Sequence, residues 1–398
     1  MSDTLGPPLL PLSRPVLSGN ESVYVTDAVE SGWVSTAGPY IERFEARVRE
    51  ITGASFSVAT ITGTSALHLG LRAAGVVPGD LVIAPTLTFI ATANAVRYIG
   101  ATPVLVGCDD YMNIDVDAVV SFLEQRCDRD DDGLTRERQT RRVVRAIVPV
   151  HVFGNPCDMA RLLAVAAEHD IAVVEDAAES IGSKWSAGPL AGRSTGTVGH
   201  GGILSFNGNK IVTAGGGGAY LTHDECAAER VRHLSTVAKS DKVRFLYDDV
   251  GYNERMTNLP AALGLAQLEL LPDFIATKKR NWELYADALN GIEGARLLGV
   301  PDGTEPNYWF YSLVVEPDDF GMDREALLCY LDERAIQTRP VWGLIHEQPP
   351  YADAIAWHTD SARWFWERVL NLPCSTDLCE ADVGRVVAAI RDAQRGAR

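Results

Sequence analysis

Seven short apolar runs rich in β-branched residues punctuate the first part of the chain, at 56–61, 81–85, 103–106, 146–152, 171–175, 203–206 and 219–222, with helical patterns alternating between them. Strands that return parallel to one another need a long crossover, usually a helix. The alternation therefore predicts an α/β fold, built of βα units on a largely parallel sheet with helices on both faces. Open sheets of this kind place ligands at one edge, outside the carboxyl ends of the strands. The loops after these runs are where chemistry is expected.

The pattern changes after Tyr252. A helical stretch is expected over 259–289, with Leu263, Ala266, Gln267 and Leu270 at helical spacing. A smaller α+β unit follows, with a strand at 309–315 and helices near 323–334, 361–370 and 380–393. With 398 residues the chain can bury more than one core. The expected division is an N-terminal arm and large domain over 1–258, then a connecting helix and small domain over 259–398. The proline-rich opening at 6–11 reads as an extended arm. Residues 126–142 read as a solvated surface insertion. Asp128, Asp130, Asp132 and Gly133 imitate the start of a calcium loop, but its twelfth position is Gln139 where a bidentate glutamate is required.

Charge narrows the partners. Fifty-three acidic residues against 36 basic ones give a net charge of −17. With no basic patch evident, a nucleic-acid role is not expected. No apolar run approaches the roughly 20 residues of a membrane span, and the N-terminus carries no export signal, so a cytoplasmic location is expected. The seven cysteines are scattered and contain no C-x-x-C, which reads as reduced structural thiols. No metal site is expected.

Four segments carry chemical content. In the first, Gly63, Thr64 and Ser65 follow a strand and open a helix, so backbone amides and two hydroxyls meet at a helix N-terminus, a ready anion site that taken alone is equally an N-cap. Phe89 follows the next strand and offers an aromatic face, although by itself it reads as core. Asp176 ends an apolar strand, where a buried carboxylate needs a cationic partner; Glu179 lies three residues on. Lys210 stands in Ser205-Phe206-Asn207-Gly208-Asn209-Lys210, ahead of four glycines from Gly215 to Gly218, and the Ser205 hydroxyl is placed to reach the same anion as Thr64. A Walker pattern is absent, because Lys210 lacks both the spacing and the following Ser or Thr. A lysine able to form a Schiff base, a carboxylate able to keep a pyridine nitrogen protonated, a phosphate loop and a stacking ring together indicate a pyridoxal-phosphate site.

Read together with Ser31-Gly32-Trp33-Val34-Ser35, Gly251-Tyr252-Asn253-Glu254-Arg255-Met256 and His346-Glu347-Gln348-Pro349-Pro350-Tyr351, these segments resemble the DegT/StrS family of nucleotide-sugar aminotransferases, of the fold-type I pyridoxal-phosphate class. The resemblance spans nearly the whole chain. It implies that Lys210 carries the cofactor, Asp176 pairs with its ring nitrogen, Glu179 lies at its phenolic edge, Gly63, Thr64, Ser65 and Ser205 hold its phosphate, and Phe89 covers its ring. Asn253 would reach the phosphate from a second subunit, which implies a homodimer with shared active sites. Arg255, Trp309, Arg339 and His346 are the expected substrate contacts, Trp309 with the nucleobase.

Within the family, Phe153-Gly154-Asn155-Pro156, the Ser205 to Gly218 stretch and Asn307-Tyr308-Trp309 are similar to the legionaminic-acid and bacillosamine-type subgroup. That similarity implies L-glutamate as donor and a UDP-linked 4-keto-6-deoxy-N-acetylhexosamine as acceptor. Gly216 stands where many relatives carry glutamate. Two rivals share the fold: a dehydratase or 3-keto-sugar aminotransferase, and a non-catalytic regulatory protein. Family dehydratases replace the lysine with histidine or recruit an iron-sulfur partner; Lys210 and the scattered cysteines speak against both routes.

Overall fold

The computed structural model describes residues 8–241 and 243–397. Its centre is an eight-stranded sheet whose strands, in spatial order, are Phe56–Thr60, Gly218–Thr222, Gly201–Ser205, Ala172–Asp176, Val144–Ile147, Leu81–Pro85, Thr102–Val106 and Ile355–Trp357. Only Gly218–Thr222 runs against its neighbours; every other pairing is parallel. Three of these strands, Leu81–Pro85, Thr102–Val106 and Gly218–Thr222, are buried along their whole length, as a sheet covered on both faces requires. One face packs around helix Gly63–Ala73 through Ala66, Leu67 and Leu69. Helices Val116–Arg126 and Met159–Glu168 cover the other through Phe122 and Leu162.

The eighth strand departs from the expected division at residue 258. Ile355–Trp357 comes from the C-terminal part and pairs in parallel with Thr102–Val106. The second sheet runs in the order Ala295–Leu297, Tyr311–Val315, Val369–Leu372, Arg339–Pro340, all antiparallel, and packs with helices Leu271–Leu289, Arg324–Asp332 and Glu380–Ala397. Helix Asp360–Arg368 ends before Val369, where the chain turns extended; the sequence pattern had run the helix on to 370.

The single helix expected over 259–289 is two helices, Asn258–Glu269 and Leu271–Leu289, bent by 57°. Pro272 is the cause: proline fits the first turn of a helix but cannot donate within one, so a new helix starts there. Asn258–Glu269 is enclosed by the N-terminal helices Glu21–Glu30 and Pro39–Thr52. Among the described residues no single helix is long and apolar enough to cross a membrane.

Of the expected arm at 6–11, Gly6 and Pro7 lie outside the described residues. Leu10 docks on the small domain, its N–H donating to Ala335 O at 2.8 Å and its carbonyl accepting from Gln337 N–H at 2.9 Å. The 126–142 segment is a surface hairpin, Cys127–Arg129 against Thr135–Glu137. The three acids of the calcium-loop pattern are held by arginines: Asp128 by Arg138 at 2.9 Å, Asp132 by Arg136 at 2.8 Å, and Asp130 by Arg136 at 2.7 Å and by Arg141. Those carboxylates are committed to guanidinium groups, as a folded surface insertion would have them.

Candidate active site

Parallel strands bring the loops at 61–64, 86–92, 148–154, 177–181 and 206–217 to one edge of the sheet. There they surround a cavity of about 250 Å³. Thr62, Gly63, Thr64, Phe89, Thr92, Asp176, Glu179, Ser205, Lys210, Trp309 and Trp342 are among its walls.

Helix Gly63–Ala73 points its N-terminus at this cavity. Thr62 is extended (φ −151°) and caps the helix, its hydroxyl oxygen accepting from Ser65 N–H at 3.0 Å. The remaining amides and the helix dipole favour an anion. Position 63 has to be glycine, because a Cβ there would stand 2.8 Å from Ser205 Cβ. The missing side chain lets the phosphate loop and the end of strand Gly201–Ser205 close on each other.

Asp176 is 6% exposed. Thr92 Oγ1 donates to its Oδ2 at 2.8 Å and Ala178 N–H to its Oδ1 at 3.1 Å. Burial pushes the carboxyl above its ordinary range; the Thr92 and Ala178 hydrogen bonds and the charge of Lys210 pull the other way. Glu179 is also pushed up by burial, with Lys210 and the Phe153 N–H opposing. Lys210 Nζ lies 3.5 Å from Glu179 Oε1 and 3.9 Å from the centroid of the Trp309 ring. The Trp309 indole N–H in turn donates to Asn209 O at 2.9 Å, so the tryptophan holds the loop that carries the lysine.

Phe153 supplies the other restraint on Glu179. Its N–H donates to Glu179 Oε2 at 2.8 Å from a left-handed backbone, φ 54°, uncommon for an aromatic residue. Behind the site, fully buried Glu175 accepts from the amides of Gly196, Val198 and Gly199 at 2.7–2.9 Å and pairs with His151 Nε2 at 3.0 Å. His151 Nδ1 accepts from Cys157 N–H, which places the ring proton on Nε2.

A model of the DegT/DnrJ/EryC1/StrS aminotransferase family matches residues 15–391. The chain belongs to this family. It is 36% identical over 392 residues to a GDP-perosamine synthase of Caulobacter vibrioides, covering 96% of this chain and 98% of that protein. It is also 34% identical over 383 residues to a GDP-perosamine synthase of Escherichia coli O157:H7, covering 96% and 98%. Among solved structures, DesI in the presence of its TDP-sugar product superposes with a TM-score of 0.85 at 29% identity, covering 98% of this chain and 94% of that one. This DegT-family protein is a sugar aminotransferase that uses pyridoxal phosphate.

The residues present fit that cofactor. A buried carboxylate whose partners are one hydroxyl and one amide lacks a full countercharge, and a protonated ring nitrogen supplies one. The helix N-terminus and the Gly63–Ser205 approach supply the anion cradle, and Lys210 supplies the amine.

Several residues of the DegT-family pattern lie elsewhere than expected. Ser65 is not in the cavity wall; its N–H and hydroxyl are both engaged with Thr62, which does line the cavity and which sequence reasoning missed. Arg255 is tied to Glu45 at 2.7 Å and to Ala59 O at 3.2 Å, a pairing across 210 residues that holds it inside the protein. Trp309 is only 2% exposed and walls Lys210, which leaves little of it for a nucleobase. Arg339 is exposed on its short strand, its Nη1 donating to Thr338 O, and does not line the cavity. His346 contacts Thr86 Oγ1 at 2.6 Å through Nδ1, also outside the wall. Asn253 is exposed beside its bridge partner Thr236, away from the cavity of its own chain. Phe89 lines the cavity while 52% exposed. Thr92 and Trp342 carried no sequence signal of their own: a threonine inside a helix and a tryptophan in a loop are ordinary residues.

Proposed function

We propose that this enzyme transfers the amino group of L-glutamate to carbon four of a nucleoside-diphosphate-linked 4-keto-6-deoxyhexose. The observation that carries the reading is the meeting of Lys210, Asp176 and the N-terminus of helix Gly63–Ala73 in one cavity. Pyridoxal phosphate supplies an electron sink for the carbon that loses its proton. Asp176 keeps the ring nitrogen charged. Gly63, Thr64 and Ser205 would hold the phosphate, Phe89 would cover the ring, and Glu179 would lie at the phenolic edge. Lys210 Nζ would take the proton from the donor α-carbon as base and give it to the cofactor carbon as acid.

GDP-perosamine synthases among the relatives favour a GDP-linked sugar. A second reading, a UDP-linked 4-keto-6-deoxy-N-acetylhexosamine, is favoured by the Phe153 to Pro156 and Asn307 to Trp309 motifs. We take the enzyme to work as a homodimer in the cytoplasm. Exposed Asn253 and the apolar residues Val243, Phe245, Leu246 and Val250 near it support a second protomer that reaches the phosphate.

The test is direct. Purified enzyme is incubated with pyridoxal phosphate, L-glutamate and each keto-sugar nucleotide, and 2-oxoglutarate and amino sugar are followed by mass spectrometry. The expected result is equimolar 2-oxoglutarate and 4-amino sugar, abolished in Lys210→Ala together with the visible absorbance band. Loss of water from the sugar without 2-oxoglutarate would establish the dehydratase instead, and a protein that never takes up cofactor would establish the scaffold.

A further inference from the structure

Lys278 is a buried cation that the reaction above does not use. It sits on helix Leu271–Leu289 and is 2% exposed. Nζ donates to two backbone carbonyls, Trp309 O at 2.9 Å and Cys374 O at 2.6 Å. Burial drives the ammonium below its ordinary range, with the neighbouring Cys374 thiol opposing. Burying a lysine against neutral partners is costly, and an apolar side chain of similar length would fill the same space. The cost therefore calls for a compensating role.

The Trp309 end of the contact leads to the active site. Trp309 is held at its carbonyl by Lys278 and at its N–H by Asn307 Oδ1 at 3.0 Å. Asn307 donates through Nδ2 to Glu179 O at 2.9 Å and to Ile181 O at 3.0 Å. The Trp309 indole then does two things at once: its N–H fixes Asn209 O, and its face lies 3.9 Å from Lys210 Nζ. A rotation of Trp309 by a few degrees would move both the loop and the ring face.

We propose that Lys278 is a positioning residue for Lys210, acting through Trp309: by clamping the Trp309 and Cys374 carbonyls it sets the indole that holds the lysine-bearing loop. The inference rests on the aminotransferase reading, since it concerns the lysine that carries the cofactor. It ties the seating of the small domain, through helix Leu271–Leu289, to the geometry of the amine.

Lys278→Met, Trp309→Phe and the double variant test it as cofactor-loaded enzymes. The first removes both donated hydrogen bonds at nearly constant volume; the second keeps a ring face and removes the bond to Asn209. The readout is the induced circular dichroism of the visible band per bound cofactor, with the rate at which that band forms when cofactor-free protein meets pyridoxal phosphate. Each single variant should lose about half or more of the dichroism and form the band at least about threefold more slowly, and the double variant should lose little more than either. A purely structural lysine would lower the melting temperature and leave the dichroism per bound cofactor unchanged, which overturns the proposal. If Lys278→Met does not accumulate folded, Trp309→Phe decides, and wild-type dichroism and rate in that variant are equally fatal. A wild-type protein with no visible band would sink the aminotransferase reading itself and this proposal with it, a result distinct from an intact band that the variants fail to move.

Discussion

The hydroxyl of Thr92 donates to Asp176 Oδ2 at 2.8 Å, joining the helix after one strand to the carboxyl end of another 84 residues away. The bond fixes the rotamer of the acid and stabilises its charged form against the burial that opposes it. Thr92→Val keeps the shape and removes the donor. A hydrogen bond to a charged group contributes about 1.5–3 kcal/mol, so cofactor affinity should fall about tenfold or more. Titrating cofactor-free Thr92→Val with pyridoxal phosphate by absorbance measures this directly; an unchanged dissociation constant would show that Asp176 does not depend on the hydroxyl.

Arg255 gives a prediction that separates two roles. Its ion pair with Glu45 joins side chains that are 10% and 6% exposed, with Arg232 at 3.3 Å on the outer side of the same carboxylate. Removing one member of a buried pair costs about 3 kcal/mol when the other is left uncompensated, and half-exposed Arg232 offsets only part of that loss for Glu45. Arg255→Met should therefore lower the unfolding midpoint in denaturant while the KM for the nucleotide sugar stays within about twofold of wild type. A large rise in KM with unchanged stability would restore Arg255 to the substrate site.

These two residues mark what the sequence could convey. Strands such as Leu81–Pro85 were legible because burial on both faces makes each one a continuous apolar run. Asp176, Ser205 and Lys210 were legible because each lies at or just beyond the carboxyl end of such a run, and the parallel topology carries those ends to one edge. Ile355–Trp357 was not, because three residues show no period and only the distant Thr102–Val106 makes them a strand. The bend at Pro272 was hidden by apolar spacing that continues through it. Roles set by partners far along the chain, Glu45 for Arg255 or Lys278 for Trp309, leave no local trace at either position.

Asp109 yields a pH dependence. It is partly buried after strand Thr102–Val106, accepting from the N–H groups of Tyr111 and Asn113, both at 2.9 Å. Burial pushes its carboxyl from 3.8 to about 7, with Asp115 and Asp110 adding to the rise and the two amides opposing it. The folded state thus binds this proton more tightly than the unfolded chain does. The associated stability is full below the unfolded value near 4 and is lost as pH rises through about 7. Asp109→Asn keeps an oxygen for both amides and removes the titration. It should melt about 2 °C or more above wild type at pH 8 and close to it at pH 4. Equal melting temperatures at pH 8 would mean that the charged carboxylate is well accommodated.

The approach of Gly63 to Ser205 allows a repair experiment. A methyl group at position 63 would meet Ser205 Cβ at 2.8 Å, its hydroxyl oxygen at 3.2 Å and its Cα at 3.3 Å, so two elements that enclose the anion cradle must separate. Overpacking of this kind costs about 1–3 kcal/mol. Gly63→Ala should lower both the melting temperature and cofactor affinity. Most of the clash is with the serine side chain rather than its backbone, so Gly63→Ala combined with Ser205→Gly should regain much of the lost thermal stability. Cofactor affinity should stay low, because the double variant also lacks the Ser205 hydroxyl proposed to hold the phosphate. Differential scanning fluorimetry and absorbance titration on the four proteins of the cycle separate the two effects. If the double variant melts no higher than Gly63→Ala, the glycine is required for something other than room beside Ser205. If it also recovers cofactor affinity, Ser205 has no part in holding the phosphate.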